Sequence, residues 1–101
     1  MKVSELQGAA LDWAVAECEQ FVEDEFEPSE NWADGGPIIE REKISVWARG
    51  NEWASESFVP NQQGLECVGP TPLIAAMRCY VASKLGDEVD VPDELMEGEV
   101  K

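Results

Sequence analysis

The segment from Thr71 to Gly86 constrains the fold most, because it predicts a helix that is buried from more than one side. Thr71 can act as the N-cap, Pro72 suits the first helical position, and Gly86 follows the last turn. One arc of this helix is apolar and the opposite side is small. The apolar arc is Leu73, Ile74, Met77, Tyr80, Val81 and Leu85, and the small residues are Ala75, Cys79 and Ala82. We therefore expect this helix to pack against neighbours on both sides and to form the centre of the core.

A second amphipathic helix is predicted from Glu5 to Val22. Ser4 can cap it, with Gln7 at the capping-box position. Its apolar stripe recurs at helical spacing and consists of Ala10, Leu11, Ala14, Val15, Cys18, Phe21 and Val22. Trp13 lies off the stripe, beside the polar face, where it either packs beneath a neighbouring loop or forms an exposed partner contact.

The chain between the two helices predicts a connection followed by short strands. Residues 23–36 are a long acidic connection, after which Pro37 suits the first position of a short helix ending at Glu42, although this stretch could equally open a strand. Residues 43–48 alternate between apolar and polar as a strand does. After turn residues a second extended run covers 53–59, and a third short strand is expected at 65–68.

These elements predict an α+β fold in which two main helices pack together and against a small antiparallel hairpin or sheet. A chain of 101 residues is the size of a single domain. We place that domain at residues 1–96, with an extended stretch through Val89 and Val91 and a short helix from Pro92 to Met96. Residues 97–101 are expected to be a frayed tail.

Negative charge is concentrated in two segments. The chain has 22 acidic and 7 basic residues and a net charge of −15. Residues 17–30 and 87–99 each contain seven acids and no base. Such a chain is not expected to bind a nucleic-acid backbone or an anionic membrane directly. Each segment can be a solvated edge, or part of a face that meets a basic protein or mimics DNA. The candidate partner-binding residues are Trp13, Glu23, Asp24 and Glu25.

Several kinds of chemistry have no residues to support them. The chain has no histidine, which removes Ser-His and Cys-His catalysis and most zinc sites. We therefore assign no catalytic residue, metal or cofactor. The three cysteines are an odd number without a CxxC motif and are expected to be reduced thiols. Without a signal peptide or an apolar run long enough to span a bilayer, the chain is expected in the cytoplasm.

A few polar residues are candidates for a ligand-binding pocket. Arg78 lies on a helix that is otherwise apolar or small, so it should be partly buried and needs a partner. Glu40 or Glu42 could supply a carboxylate, or Arg78 could bind an anion. The candidate ligand-binding residues are Trp32, Glu40, Arg41, Glu42 and Arg78. An arginine with an aromatic side chain could hold a phosphate and a base.

Three segments resemble the NinX-like family of tailed bacteriophages and prophages. They are Glu5-Leu6 with GAALDWAVA at 8–16, Trp32 with GGPIIERE at 35–42, and GPTPLIAAMRCYVASKLGD at 69–87. The resemblance implies a phage- or prophage-encoded protein that acts in the host cytoplasm, and it transfers no catalytic residue. The expected function is non-catalytic binding to a host or phage protein. The alternatives are a nucleotide- or anion-binding pocket or modest enzyme, and a DNA mimic.

Overall fold

The computed structural model describes residues 1–20, 25–57, 65–92 and 95. A 3-10 turn at Val3–Glu5 comes first. The helices are α1 (Gly8–Glu19), α2 (Trp32–Glu42) and α3 (Pro72–Leu85), and the strands are β1 (Ser45–Arg49), β2 (Glu52–Ser57) and β3 (Leu65–Gly69). Three helices with an antiparallel sheet confirm the predicted α+β class.

Helix α3 is the central element, as its sequence predicts. The Thr71 side chain accepts a hydrogen bond from the backbone N–H of Ile74, so the predicted cap is formed. The buried residues of α3 are Leu73, Ala75, Ala76, Met77, Arg78, Cys79, Tyr80 and Val81. The sheet, α1 and α2 all contact it, which explains why its small side is buried as well as its apolar side.

The sheet has the strand order β1-β2-β3, and both neighbouring pairs are antiparallel. Val46, Ser55 and Cys67 lie opposite one another across the three strands, so they share a face. The Ser55 hydroxyl donates a 2.6 Å hydrogen bond to the carbonyl oxygen of Ala75, which places that face against α3. The predicted hairpin and third strand are confirmed, while residues 58–59 of the second predicted run lie outside the described chain.

The start of α1 differs from the prediction because tertiary contacts control the first seven residues. The helix begins at Gly8, not Glu5, and the predicted Ser4 cap is wrong. Gln7 is the N-cap in an extended conformation, and Gly8 has φ 57°, a left-handed value that suits glycine. The backbone N–H of Val3 instead donates to the carbonyl oxygen of Asp87 at 2.8 Å, and Leu6 is fully buried. This anchoring separates the N-terminal turn from α1.

Helix α2 begins five residues earlier than predicted and contains Pro37 in its interior. The Asn31 side chain caps it by accepting from the Ala33 N–H at 2.9 Å. A proline usually forces the preceding residue out of the helical region through contact with its Cβ, but Gly36 has no Cβ and avoids that contact. The Gly35-Gly36-Pro37 sequence therefore continues the helix here instead of preceding it.

The segment after α3 packs back on the N-terminus. Val89 and Val91 are both 8% exposed, and the Met1 ammonium donates to the carbonyl oxygen of Val89 at 2.8 Å. Leu95 is the one described residue beyond Pro92, so the predicted helix over 92–96 and the predicted tail at 97–101 lie largely or wholly outside the described residues. Phe21 and Val22, placed on α1 by the sequence pattern, also lie outside them.

Candidate functional site

The five residues predicted to form a ligand pocket do not meet at one place. Trp32 is the first residue of α2 and lies beside the start of α3. Arg41 and Glu42 lie at the opposite end of α2, and Glu40 is exposed there. Arg78 is buried in the middle of α3. The structure therefore separates a Trp32 surface from an arginine cluster and from a buried arginine.

The loop before α2 is held in place by side chains on both neighbouring helices. Asp12 of α1 accepts from the Ser29 backbone N–H at 2.9 Å, and Asp34 of α2 accepts from the Glu27 N–H at 2.8 Å. Burial raises the pKa of Asp12, and the hydrogen bond from Ser29 partly offsets that rise. These two carboxylates fix the loop relative to α1 and α2.

Gly35 allows α2 to approach this loop and α3 closely. A Cβ built on Gly35 would lie 2.6 Å from the carbonyl oxygen of Pro28 and 2.7 Å from a methyl carbon of Leu73. Only a residue without a side chain fits there without a shift of its neighbours. This contact positions Trp32, three residues earlier, next to the first turn of α3.

Trp32 forms one wall of an open groove, which we call the Trp32 groove. Its volume is about 360 Å³. Its lining residues are Ser29, Glu30, Trp32, Thr71, Pro72, Leu73 and Ile74. Trp32 is 55% exposed and is the most exposed large apolar side chain among the described residues. The groove thus combines an accessible indole with an apolar floor from the first turn of α3.

The chain around the Trp32 groove carries charge of one sign. Residues 25–40 contain five acidic side chains and no Lys or Arg. The acids are Glu25, Glu27, Glu30, Asp34 and Glu40. The α3 side contributes no charge near the groove, since Thr71, Pro72, Leu73 and Ile74 are uncharged. Among the described residues that line the groove, the charged one is therefore the acidic Glu30.

A second polar cluster joins the C-terminal ends of the three helices, and we call it the helix-end network. Its members are Glu19 of α1, Arg41 and Glu42 of α2, and Tyr80 and Lys84 of α3. Arg41 donates to both carboxylate oxygens of Glu19, at 3.2 and 2.6 Å, and through Nε to Glu42 at 2.9 Å. Arg41 Nη2 also donates to the Tyr80 hydroxyl at 3.1 Å, and that hydroxyl donates to Glu19.

The electrostatics of the helix-end network follow from these contacts. The hydrogen bonds from Arg41 hold the pKa of Glu19 below its ordinary value, with a smaller contribution from Tyr80. Burial, together with the neighbouring Glu19 carboxylate, raises the pKa of the Tyr80 hydroxyl. The donors of Arg41 are directed at Glu19, Glu42 and Tyr80, so its guanidinium serves to connect helices.

Arg78 has partners that the sequence did not indicate. Neither Glu40 nor Glu42, the expected partners, contacts it. Its Nε instead donates to the carbonyl oxygen of Leu6 at 2.8 Å, and its Nη1 donates to that of Val68 at 2.9 Å. Within residues 1–20, 25–57, 65–92 and 95, no carboxylate forms an ion pair with Arg78. Its side chain is 8% exposed, and this burial lowers the pKa of the guanidinium.

Comparison with protein families decides the relationship that the sequence suggested. The sequence model of the family described as bacteriophage P22 NinX matches residues 20–84. The chain belongs to this NinX family. The match takes in α2, the whole sheet and α3 except for its last residue. It therefore includes the Trp32 groove, Arg41 and Arg78. No curated protein matches the chain.

The candidate partner residues of this NinX-family protein lie in different settings. Trp13 is half-buried and packs against the core, with Leu85 and Val89 along the same shallow groove. Its exposed edge is thus much smaller than that of Trp32. Glu25 is exposed, whereas Glu23 and Asp24 lie outside the described residues.

In the parts that the structure describes, no group of three or more Cys, Asp or Glu side chains is arranged to hold a metal ion. In those same parts, no helix is both long and apolar enough to cross a membrane.

Sequence reasoning missed Glu19 and Tyr80 as members of a polar cluster. Helical periodicity alone places Glu19 outside the apolar stripe of α1 and Tyr80 on the apolar arc of α3. The sequence feature that could have indicated a contact between them is that each lies in the C-terminal half of an amphipathic helix. The role of Gly35 was missed as well, because Gly-Gly-Pro is typical of a turn.

Proposed function

We propose that this NinX-family protein is a phage-encoded, non-catalytic accessory protein of the host cytoplasm that binds a basic protein partner through the Trp32 groove. The partner segment would place an apolar side chain against Trp32 and Ile74 and basic side chains next to the surrounding carboxylates. The observation that carries the proposal is the 55% exposure of Trp32 beside a loop that is hydrogen-bonded to Asp12 and Asp34.

An exposed tryptophan can contribute a large part of the free energy of binding. An indole beside a preformed apolar groove offers a large contact area at low conformational cost, and tryptophan is among the residues that dominate binding energy at protein interfaces. The hydrogen bonds from Ser29 to Asp12 and from Glu27 to Asp34 already order the loop next to it. Little further ordering is then needed when a partner binds.

The negative charge near the groove favours a partner with a basic surface. Glu30 lines the groove, residues 25–40 contain five acids and no base, and the chain has a net charge of −15. Such a surface attracts a basic protein segment and repels acidic ones, which speeds correct encounters and disfavours wrong ones.

The positions of the two arginines favour this function over an anion- or nucleotide-binding pocket. The Arg41 guanidinium donates to Glu19, Glu42 and Tyr80. Arg78 is buried against two backbone carbonyls. Neither arginine lines the Trp32 groove, so among the described lining residues an anionic ligand would find no cation beside the aromatic side chain.

The test compares two tryptophan variants of the full chain. Wild type, Trp32→Ala and Trp47→Ala are immobilised and exposed to a lysate of phage-infected bacteria. Trp47 is the matched control, because it is 38% exposed on β1 and does not line the groove. We expect one captured protein to be lost with Trp32→Ala and kept with Trp47→Ala. Titration of that protein, once purified, should show Kd rising about 30-fold or more for Trp32→Ala, as for an interface hot spot.

Two further measurements separate the proposal from its alternatives. Glu30→Gln should slow association and reduce its salt dependence, because Glu30 lines the groove. A short DNA duplex that displaces the partner would indicate a DNA mimic instead. Equal binding by Trp32→Ala and Trp47→Ala would refute the groove as the binding surface.

A further inference from the structure

Two of the three cysteines face each other between the sheet and α3. Cys67 lies directly opposite Ser55 in the sheet, on the face whose Ser55 hydroxyl donates to Ala75 of α3. Cys79 is one helical turn beyond Ala75, and its thiol donates to the carbonyl oxygen of Leu65 at 3.1 Å, two residues before Cys67. The Cys79 thiol is therefore directed at the strand that carries Cys67, on the face of the sheet from which the Cys67 side chain projects.

The backbones of β3 and α3 are unusually close beside this pair. A Cβ built on Gly69 would lie 2.8 Å from the backbone nitrogen of Ala75. Gly69 is on the same face of β3 as Cys67, two residues further along. A disulfide requires its Cβ atoms to be about 3.5–4.5 Å apart, so it needs this kind of close approach between two elements.

Cys67 is the more exposed residue of the pair. Cys67 is half-buried and lines an open groove of about 340 Å³ between the N-terminal turn and β3, whereas Cys79 is fully buried. Three carboxylates and one ammonium line that groove, those of Glu66, Asp87, Glu88 and Lys2. A small neutral or cationic reagent would enter more readily than an anionic one.

The surroundings also favour the thiolate of Cys67. The neighbouring Cys79 thiol lowers the pKa of the Cys67 thiol, and the nearby Arg78 guanidinium, which has no carboxylate partner in the described chain, lowers it further against the effect of burial. The pKa of Cys79 is raised, first by the neighbouring Cys67 and then by burial. When Cys67 ionises, the Cys79 proton can turn from the Leu65 carbonyl to the thiolate.

We propose that Cys67 and Cys79 are a reactive thiol pair for small neutral or cationic disulfides. Cys67 is the attacking thiolate, and Cys79 converts the mixed disulfide into a bond between β3 and α3. This inference is independent of the Trp32 groove, which contains neither cysteine.

The reaction balances as two thiol–disulfide exchanges. The Cys67 thiolate attacks one sulfur of the reagent, the reagent S–S bond breaks, and one half leaves as a thiolate that takes up a proton. Cys79 then loses its proton to solvent and attacks Cys67 Sγ, and the second half leaves as a thiolate. The protein loses two electrons and two protons, and the disulfide reagent is reduced to two thiols.

The experiment uses cystamine, a small disulfide with an ammonium group at each end, on the full folded chain. We expect the intact mass to fall by that of two hydrogen atoms, with no reagent retained. Trypsin cleaves after Arg78, so Cys67 and Cys79 fall in different peptides that the new bond would join. Cys79→Ala should stop at one cysteamine on Cys67, and Cys67→Ala should leave Cys79 unmodified. Oxidised glutathione, which is anionic, should react more slowly.

Cys18 provides the matched control, because burial raises the pKa of its thiol to about 11. Cys18→Ala should react as wild type does. A measurement on wild type alone covers the case in which Cys79→Ala does not fold: limiting iodoacetamide should alkylate Cys67 at least about tenfold faster than Cys18. Faster alkylation of Cys18, a stable cysteamine adduct on wild type, or reaction of Cys79 in Cys67→Ala would each overturn the proposal.

Discussion

Arg78 Nε donates a 2.8 Å hydrogen bond to the carbonyl oxygen of Leu6, which lies 72 positions earlier in the chain. The same guanidinium donates to the carbonyl oxygen of Val68 at the end of β3. One buried side chain of α3 therefore fixes both the N-terminal turn and the edge of the sheet. Its acceptors are backbone carbonyl oxygens, which every residue has. The residue types at positions 6 and 68 therefore could not have predicted these two hydrogen bonds.

Replacing Arg78 by Met should destabilise the protein by about 1–3 kcal/mol. The Leu6 and Val68 carbonyls lose their donors, and each buried unsatisfied group costs about 1–3 kcal/mol, partly offset because a buried charge is removed. The check is the free energy of unfolding in urea. Arg49→Met is the control, since Arg49 is 54% exposed in its ion pair with Glu66 and should change stability by less than about 1 kcal/mol.

A comparison of Arg78→Met with wild type also tests whether Arg78 binds an anion. Phosphate or a nucleotide should leave the melting temperature of wild type and of Arg78→Met equally unchanged, because the guanidinium is 8% exposed and lines no groove that we describe. Stabilisation of wild type alone would restore the ligand-binding interpretation of Arg78.

The elements predicted correctly are those in which local signals agree with one another. Helix α3 has a Thr71 cap, Pro72 in its first turn and Gly86 after its end, and all three appear where the sequence placed them. The sheet followed from alternation and turn residues in the same way. Local agreement of this kind specifies structure without knowledge of the neighbours.

The elements predicted wrongly are those in which a tertiary contact overrides a local signal. Ser4 and Gln7 match a capping box, yet burial of Val3 and Leu6 and the bond from Val3 to Asp87 take that segment out of α1. Tertiary contacts also separate the five candidate ligand residues in space. Nothing local indicated that Arg41 would reach Glu19, 22 positions away, instead of joining Trp32.

Gly35→Ala should destabilise the protein by about 2 kcal/mol or more, because its Cβ would overlap the Pro28 carbonyl and Leu73. Gly36→Ala is the neighbouring control. A Cβ there meets nothing closer than Trp32 at 3.8 Å, and the gain in helix propensity is opposed by the contact with Pro37. We expect its stability to stay within about 1 kcal/mol of wild type. Equal unfolding midpoints for the two variants in urea would contradict the close approach seen at Gly35.

The helix-end network predicts a pH-dependent contribution from Glu19. Arg41 holds the pKa of Glu19 below its ordinary value, so the stabilisation is present above the unfolded-state pKa and is lost as pH falls through the lower folded-state value. Glu19→Gln should therefore cost about 1–2 kcal/mol at neutral pH, as for a charged hydrogen bond, and progressively less below about pH 4.

The measurement is the free energy of unfolding of wild type and variant between neutral and acidic pH. Glu40→Gln is the control, because Glu40 is an exposed carboxylate on α2 that is not part of the network. Its difference from wild type should stay small. A Glu19→Gln difference that did not change with pH would show that the carboxylate charge of Glu19 contributes nothing to the link between helices.

The uneven charge of the chain predicts that salt stabilises it above its isoelectric point. At neutral pH the net charge is −15, and two acidic segments without bases hold fourteen of the carboxylates. Repulsion between like charges destabilises the compact state of a chain with so high a net charge, and salt at about 0.5 M shortens the Debye length to below about 5 Å. Relief of repulsion on the order of 1 kcal/mol would raise the melting temperature by about 4–8 °C for a chain of this size.

We expect this rise at pH 8 on adding NaCl and expect it to disappear near the isoelectric point of about 4.1, where the net charge vanishes. A melting temperature at pH 8 that did not respond to NaCl would show that the acidic segments keep their charges as far apart in the fold as in the unfolded chain.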